Sequence, residues 1–173
     1  ESAWRRLIET YSGRVFGLLY RQCGDAELAE EIAQATFVKV ARKLGGYREH
    51  GRFEPWLFRI AMNQLRDEMR RRRRQAPAVD FAETPPEAIG YAGDEPGEAP
   101  DRPAIEAERD ATLHAALAGL PEADRRVLHL RYTAALSYAQ IAETLDEPLG
   151  TVLARGHRAL KKLRKALDGA IEP

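Results

Sequence analysis

Residues 56–74 read WLFRIAMNQLRDEMRRRRR. Wound at helical pitch, Leu57, Ile60, Ala61, Leu65 and Met69 form one apolar stripe. Arg59, Asn63, Arg66 and Arg70 recur at steps of four, three and four on the opposite side. The stretch ends in five consecutive arginines, Arg70 to Arg74. One face is therefore made to bury. The other offers guanidinium forks, which suit phosphates, and a single carboxamide, which suits a base edge. A solvated face on an ordinary core helix carries the same pattern, so these residues alone leave both readings open.

The same helical spacing extends in both directions, and no segment alternates like a strand. The chain has 173 residues, 44% hydrophobic and 31% charged, which suits one globular domain or two small ones. No apolar run approaches the roughly 18 residues of a membrane span. Cys23 is the only cysteine, which excludes an internal disulfide and a cysteine-based zinc cluster and fits a reducing compartment. It reads as a core residue. His50, His114, His129 and His157 show no metal-ligand spacing, and no metal or cofactor is expected. The formal net charge of zero conceals segregation. Residues 1–74 hold 16 Lys and Arg against 10 Asp and Glu, residues 75–109 hold 2 against 9, and residues 110–173 hold 9 against 8.

Upstream, a first helix is expected from about Ala3 to Arg21 and a second from Gly24-Asp25 to about Leu44, stopped by Gly45-Gly46. The loop Tyr47-Arg48-Glu49-His50-Gly51-Arg52-Phe53 leads into the basic helix. Tyr47 there either stacks on an unpaired base or folds back onto the core, and Trp56 either packs or wedges against a base pair. Downstream, residues 76–103 contain six of the ten prolines and an excess of acids, the composition of a flexible linker. The expected architecture is all-α: two small helical domains, 1–75 and 105–173, joined by an acidic Pro-rich linker at 76–104.

The second domain is expected to begin with a helix near Ile105 to Ala118. Another opens at Leu120-Pro121, with Pro121 in its first turn, and runs to about Thr133. Ser137 followed by Gln140 is a capping-box start for a short helix ending near Leu145. Pro148 then starts a longer helix to about Leu167. This is the layout of a helix-turn-helix. In its last helix Val152, Leu160, Leu163 and Leu167 are expected to be buried. Thr151, Ala154, Arg155, Arg158, Lys161, Lys162 and Lys165 share the other side. Gly156 within that helix costs about 1 kcal/mol relative to alanine, which close packing against the preceding helix would explain. No catalytic constellation or phosphate-binding glycine loop is present, so the chain does not read as an enzyme.

Three segments together resemble the extracytoplasmic-function sigma factors of bacterial RNA polymerase. Asp25–Phe37 looks like the family's polymerase-binding helix, and Phe53–Asn63 like its promoter-melting and minus-ten segment. Leu120-Pro121-Glu122, Leu136–Ala142 and Gly150-Thr151-Val152 look like its minus-thirty-five domain. The resemblance covers essentially the whole chain and begins before Glu1 in the family pattern, so further residues are expected upstream. It implies polymerase docking through Leu28, Glu31, Ile32, Gln34, Ala35, Phe37 and Val38. It implies minus-ten contacts from Tyr47, Arg48, His50, Arg52, Trp56, Arg59, Asn63, Arg66 and Arg70. It implies minus-thirty-five contacts from Thr151, Leu153, Ala154, Arg155, His157, Arg158 and Lys161.

The partners implied are core RNA polymerase, promoter DNA and an anti-sigma factor, often membrane-bound in this family, with the chain itself cytoplasmic, serving a stress response. The chain departs from the family pattern at Glu31 and Ala35, and it carries apolar Leu153 and Ala154 where the family often has base-reading polar residues. A stand-alone helix-turn-helix regulator, or a module whose basic faces bind acidic proteins, would share parts of this pattern.

Overall fold

The computed structural model describes residues 2–75 and 112–171. Among them the helices are α1 (Ser2–Cys23), α2 (Ala26–Leu44), α3 (Phe53–Gln75), α4 (described over 112–118), α5 (Glu122–Tyr132), α6 (Tyr138–Leu145) and α7 (Leu149–Ile171), with no strand among the described residues. The linker read at 76–104 and the start of the helix read at Ile105 lie outside the described residues.

Local chemistry sets the boundaries. Gly24 ends α1 at φ 69°, a left-handed conformation that glycine adopts without a Cβ penalty. Asp25 then caps α2, its carboxylate accepting the Leu28 amide at 3.0 Å. Helix α3 begins three residues before the quoted stretch. Pro55 lies in its first turn, where the missing N–H has no intrahelical partner to lose.

In the second half, Pro121 is the N-cap of α5 and not a first-turn residue, a shift of one position. Ser137 forms the expected capping box: its hydroxyl accepts the Gln140 amide at 3.2 Å, and the Gln140 carboxamide oxygen accepts the Ser137 amide at 2.8 Å. Asp146 turns the chain at φ 56°, and Leu149 opens α7.

The buried stripe of α7 differs from expectation: Val152 is buried, but Leu163 and Leu167 are only half-buried. Ala159 is fully buried, whereas Leu160 is 38% exposed. At 3.6 residues per turn, Ala159 lies about 20° from Val152 around the axis and Leu160 about 80°, so the smaller residue holds the core position. Gly156 is buried on the same face. A Cβ there would lie 2.8 Å from a ring carbon of Tyr138, which shows the close approach of α7 to α6 that a glycine permits.

Helix α1 packs on α2, α2 on α3, and α5 and α6 on α7. The two halves also meet. Helix α6 lies against α3, and α5 against α1. Val15, Leu18, Leu57 and Phe58 join Val127, Leu130, Ile141 and Val152 in one contiguous cluster of buried side chains. A smaller cluster of Leu120, Leu128 and Ala159 closes the far side of the second half. Cys23 is buried in the large cluster, as a core cysteine should be.

Candidate nucleic-acid interface

Helix α3 separates its two faces as the spacing predicts. Leu57, Ile60, Ala61 and Leu65 are buried, while Arg59, Asn63, Arg66 and Arg70 are exposed along the opposite side. Arg66 donates to the Asn63 carboxamide oxygen at 3.1 Å, which engages the oxygen and leaves the amide nitrogen of this exposed side chain as its donor.

The loop before α3 is fastened by aromatic packing. The Tyr47 ring lies 4.7 Å from Trp56 and 5.7 Å from Phe53, and Phe53 meets Tyr11 of α1 at 5.5 Å. Burial and the nearby Glu49 carboxylate raise the Tyr47 phenol above its ordinary value. Tyr47 thus folds against neighbours, yet one side of it still lines a recess of about 260 Å³. That recess gathers six of the nine minus-ten residues read from the sequence: Tyr47, Arg48, His50, Arg52, Trp56 and Arg59. Asn63, Arg66 and Arg70 continue along α3 beyond it.

Sequence reasoning did not single out what covers this recess. Glu143 of α6 also lines it. The Glu143 carboxylate lies 3.7 Å from the Arg52 guanidinium, and Arg59 donates to the Glu143 backbone carbonyl. Further contacts of α1 and α3 tie the second half to the first. Arg14 of α1 pairs with Glu54 at 2.7 Å and donates through Nε to the Ala134 carbonyl at 3.1 Å. Gln140 donates to Glu54 at 3.3 Å, and the Thr144 hydroxyl, which donates to the Gln140 carbonyl at 2.8 Å, lies 3.5 Å from the Pro55 carbonyl. Arg14 also sits over the Tyr11 and Phe58 rings. Gln140, visible in the sequence as a capping residue, thus also joins the two halves.

The second basic face lies on α7. Thr151, Leu153, Ala154, His157, Arg158 and Lys161 are exposed, and Arg155 is half-buried. Both arginines have acidic partners within their own half: Arg155 pairs with Glu147, and Arg158 reaches the buried Asp124 carboxylate at 3.1 Å. These pairs hold the long side chains in defined directions.

On α2, Glu31, Gln34, Ala35 and Val38 are exposed, whereas Leu28, Ile32 and Phe37 are buried at 3%, 4% and 8% exposure. The first four form a surface, and the last three support it from the core. Beside them an apolar groove of about 800 Å³ runs between α1 and α2, lined by Trp4, Ile8, Phe16, Gln34, Phe37 and Val38 among others. No group of three or more metal-ligating side chains occurs among the described residues. No described helix is long and apolar enough to cross a membrane.

Known proteins agree with this layout. Residues 7–75 match the family model of sigma-70 region 2, and residues 116–165 match that of sigma-70 region 4. The chain is 36% identical over 174 residues to the RNA polymerase sigma-H factor of Pseudomonas aeruginosa, covering 99% of this chain and 87% of that one. It is 29% identical over 169 residues to the extracytoplasmic-function sigma factor SigW of Bacillus subtilis, covering 96% and 90%. Its fold is like that of the sigma factor RpoE solved in complex with the anti-sigma factor NepR from Bartonella quintana, with a TM-score of 0.73 at 20% identity over 97% of this chain and 98% of that one. With two basic helical faces in order and both sigma-70 regions matched, the chain belongs to the extracytoplasmic-function sigma factors of bacterial RNA polymerase.

Proposed function

We propose that this sigma factor reads the minus-ten element with α3 and the recess before it, and the minus-thirty-five element with α7. The observation that carries the reading is the recess. It combines aromatic walls of Tyr47 and Trp56 with a cationic rim of Arg48, Arg52 and Arg59. A single unstacked base enters such a space edge-on while guanidinium groups hold its phosphates. Asn63 then offers a directional hydrogen bond to a neighbouring base, and Arg66 and Arg70 follow the backbone. On α7, exposed Leu153 and Ala154 suit thymine methyl groups, and Arg155, Arg158 and Lys161 suit phosphates or base edges.

The exposed face of α2 and its groove are where core polymerase would dock. The chain supplies no catalytic group of its own to this scheme and would act in the cytoplasm. In the arrangement described, Arg52 and Arg59 are engaged by Glu143, so promoter binding requires α6 to leave α3. A protein that stabilises the closed form would act as an inhibitor, and the Bartonella relative was solved in complex with an anti-sigma factor.

The test is transcription in vitro from a mapped promoter by core polymerase plus this chain. Initiation that depends on both promoter elements supports the reading. Tight duplex binding by the chain alone, with no initiation, would favour a stand-alone regulator.

A further inference from the structure

The contact between the two halves creates a cleft that the promoter reading does not explain. Arg66, Arg70 and Arg73 of α3 form one wall, and Arg125, Arg126 and Glu122 of α5 form the other. Five guanidinium groups and a single carboxylate thus line a cavity of about 230 Å³. Bringing like charges together from two separate elements opposes the closed arrangement unless something offsets them. Glu122 pairs with Arg126 and offsets one of the five. Arg70 and Arg73 have no ion-pair partner among the described residues.

A second observation points the same way. The Nε of Arg126 is buried and meets no acceptor among the described residues. A buried N–H without an acceptor costs free energy of the order of a lost hydrogen bond, about 1–3 kcal/mol. That atom is closed to solvent, so a turn of the Arg126 side chain toward a ligand oxygen in the cleft would remove the cost. The floor is apolar, made by Met62, Leu65 and Met69, so the ligand's charge must meet the arginine walls.

We propose that this cleft binds a short oligophosphate, free or carried on a nucleotide, which bridges α3 and α5 and stabilises the closed arrangement. The chemistry follows from the donors. Arginine forks match phosphate oxygens two at a time, and several converging forks suit a chain of phosphates better than one carboxylate. The volume equals that of roughly eight waters, enough for two or three linked phosphates and far too small for a duplex. If Arg66 and Arg70 track the promoter backbone, as the proposed function holds, the bound ligand also competes with promoter DNA.

The test is calorimetric titration of the full chain with inorganic tripolyphosphate, against sulfate at matched ionic strength. The expected result is saturable one-site binding, about tenfold or more tighter than sulfate. Arg126→Ala and Arg73→Ala should each weaken it by about tenfold, with far-UV circular dichroism unchanged. Arg126→Lys keeps the charge but has no Nε donor, and should weaken it too. Arg71→Ala should leave it unchanged, because Arg71 is paired with Glu68 at 2.7 Å outside the cleft. A nucleoside triphosphate run in parallel identifies the source: equal affinity assigns the phosphate chain alone, and tighter binding assigns a nucleotide. Binding no tighter than sulfate, or equal loss in the Arg71 variant, overturns the proposal. Competition with promoter DNA is read separately. If titration succeeds and competition fails, the site stands and the promoter role of Arg66 and Arg70 falls.

Discussion

Gly156→Ala tests the packing of α7 against α6, which sets the helix face proposed to meet DNA. Two effects oppose each other. Alanine is favoured over glycine inside a helix by about 1 kcal/mol. Against this, the new methyl would lie 2.8 Å from a Tyr138 ring carbon and 2.9 Å from its hydroxyl, too close for either to stay. Overpacking of this kind costs about 1–3 kcal/mol. The ring cannot shrink from the contact by bending, and Arg131 lies 5.6 Å from its centre. The net expectation is a loss of about 0–2 kcal/mol, with α6 pushed away from α7.

The background Tyr138→Ala isolates the cause. With the ring gone, only the helical preference remains, and Gly156→Ala should stabilise by about 1 kcal/mol. Urea unfolding of the four proteins of this cycle gives the coupling, expected at about 1–3 kcal/mol. Minus-thirty-five binding should fall in Gly156→Ala alone and recover in part in the double variant. Stabilisation by Gly156→Ala in the unaltered background would refute the reasoning, since it would mean that the ring moves aside without cost.

Three further outcomes follow from other contacts. His129 is buried, and burial followed by the Arg21 and Arg125 charges lowers it from 6.5 to about 3. The unfolded chain therefore takes up its proton first: the stability His129 contributes is present above pH 6.5 and is lost as pH falls toward about 3. Urea midpoints between pH 7 and pH 5 should drop more steeply in the parent than in His129→Leu, and parallel slopes would contradict this. Arg14→Met removes the Glu54 pair and the donor to the Ala134 carbonyl, at a cost of about 1–3 kcal/mol. Amide exchange in α6 should quicken while that in α2 stays constant, and unchanged α6 exchange would show that Arg14 does not join the halves. Asn63→Ala should shift the preferred minus-ten sequence more than total affinity, measured by initiation from a promoter library; a uniform loss across promoters would assign Asn63 to backbone contact.

The elements were legible because their causes are local. The Ser137 and Gln140 capping box and the Gly24-Asp25 break each act within a few residues, and both are found where the sequence placed them. The residues proposed for the minus-ten element came as a list from family resemblance and a one-sided helix. That six of them line one recess was not, since that depends on how the loop folds over Trp56. The burial of Leu28, Ile32 and Phe37, and of Ala159 in place of Leu160, turns on which degrees of a helix meet a neighbour.

By itself, then, the sequence determined an all-α chain with two basic helical faces and a helix-turn-helix, because periodicity and capping are short-range. Only the tertiary structure decided that Glu143 meets Arg52, that Arg14 reaches Ala134 and that Arg126 faces the arginines of α3. Those partners lie far apart along the chain, and no local pattern encodes them. They are selected when the apolar faces of α1, α3, α5 and α6 bury together and carry their polar neighbours into contact.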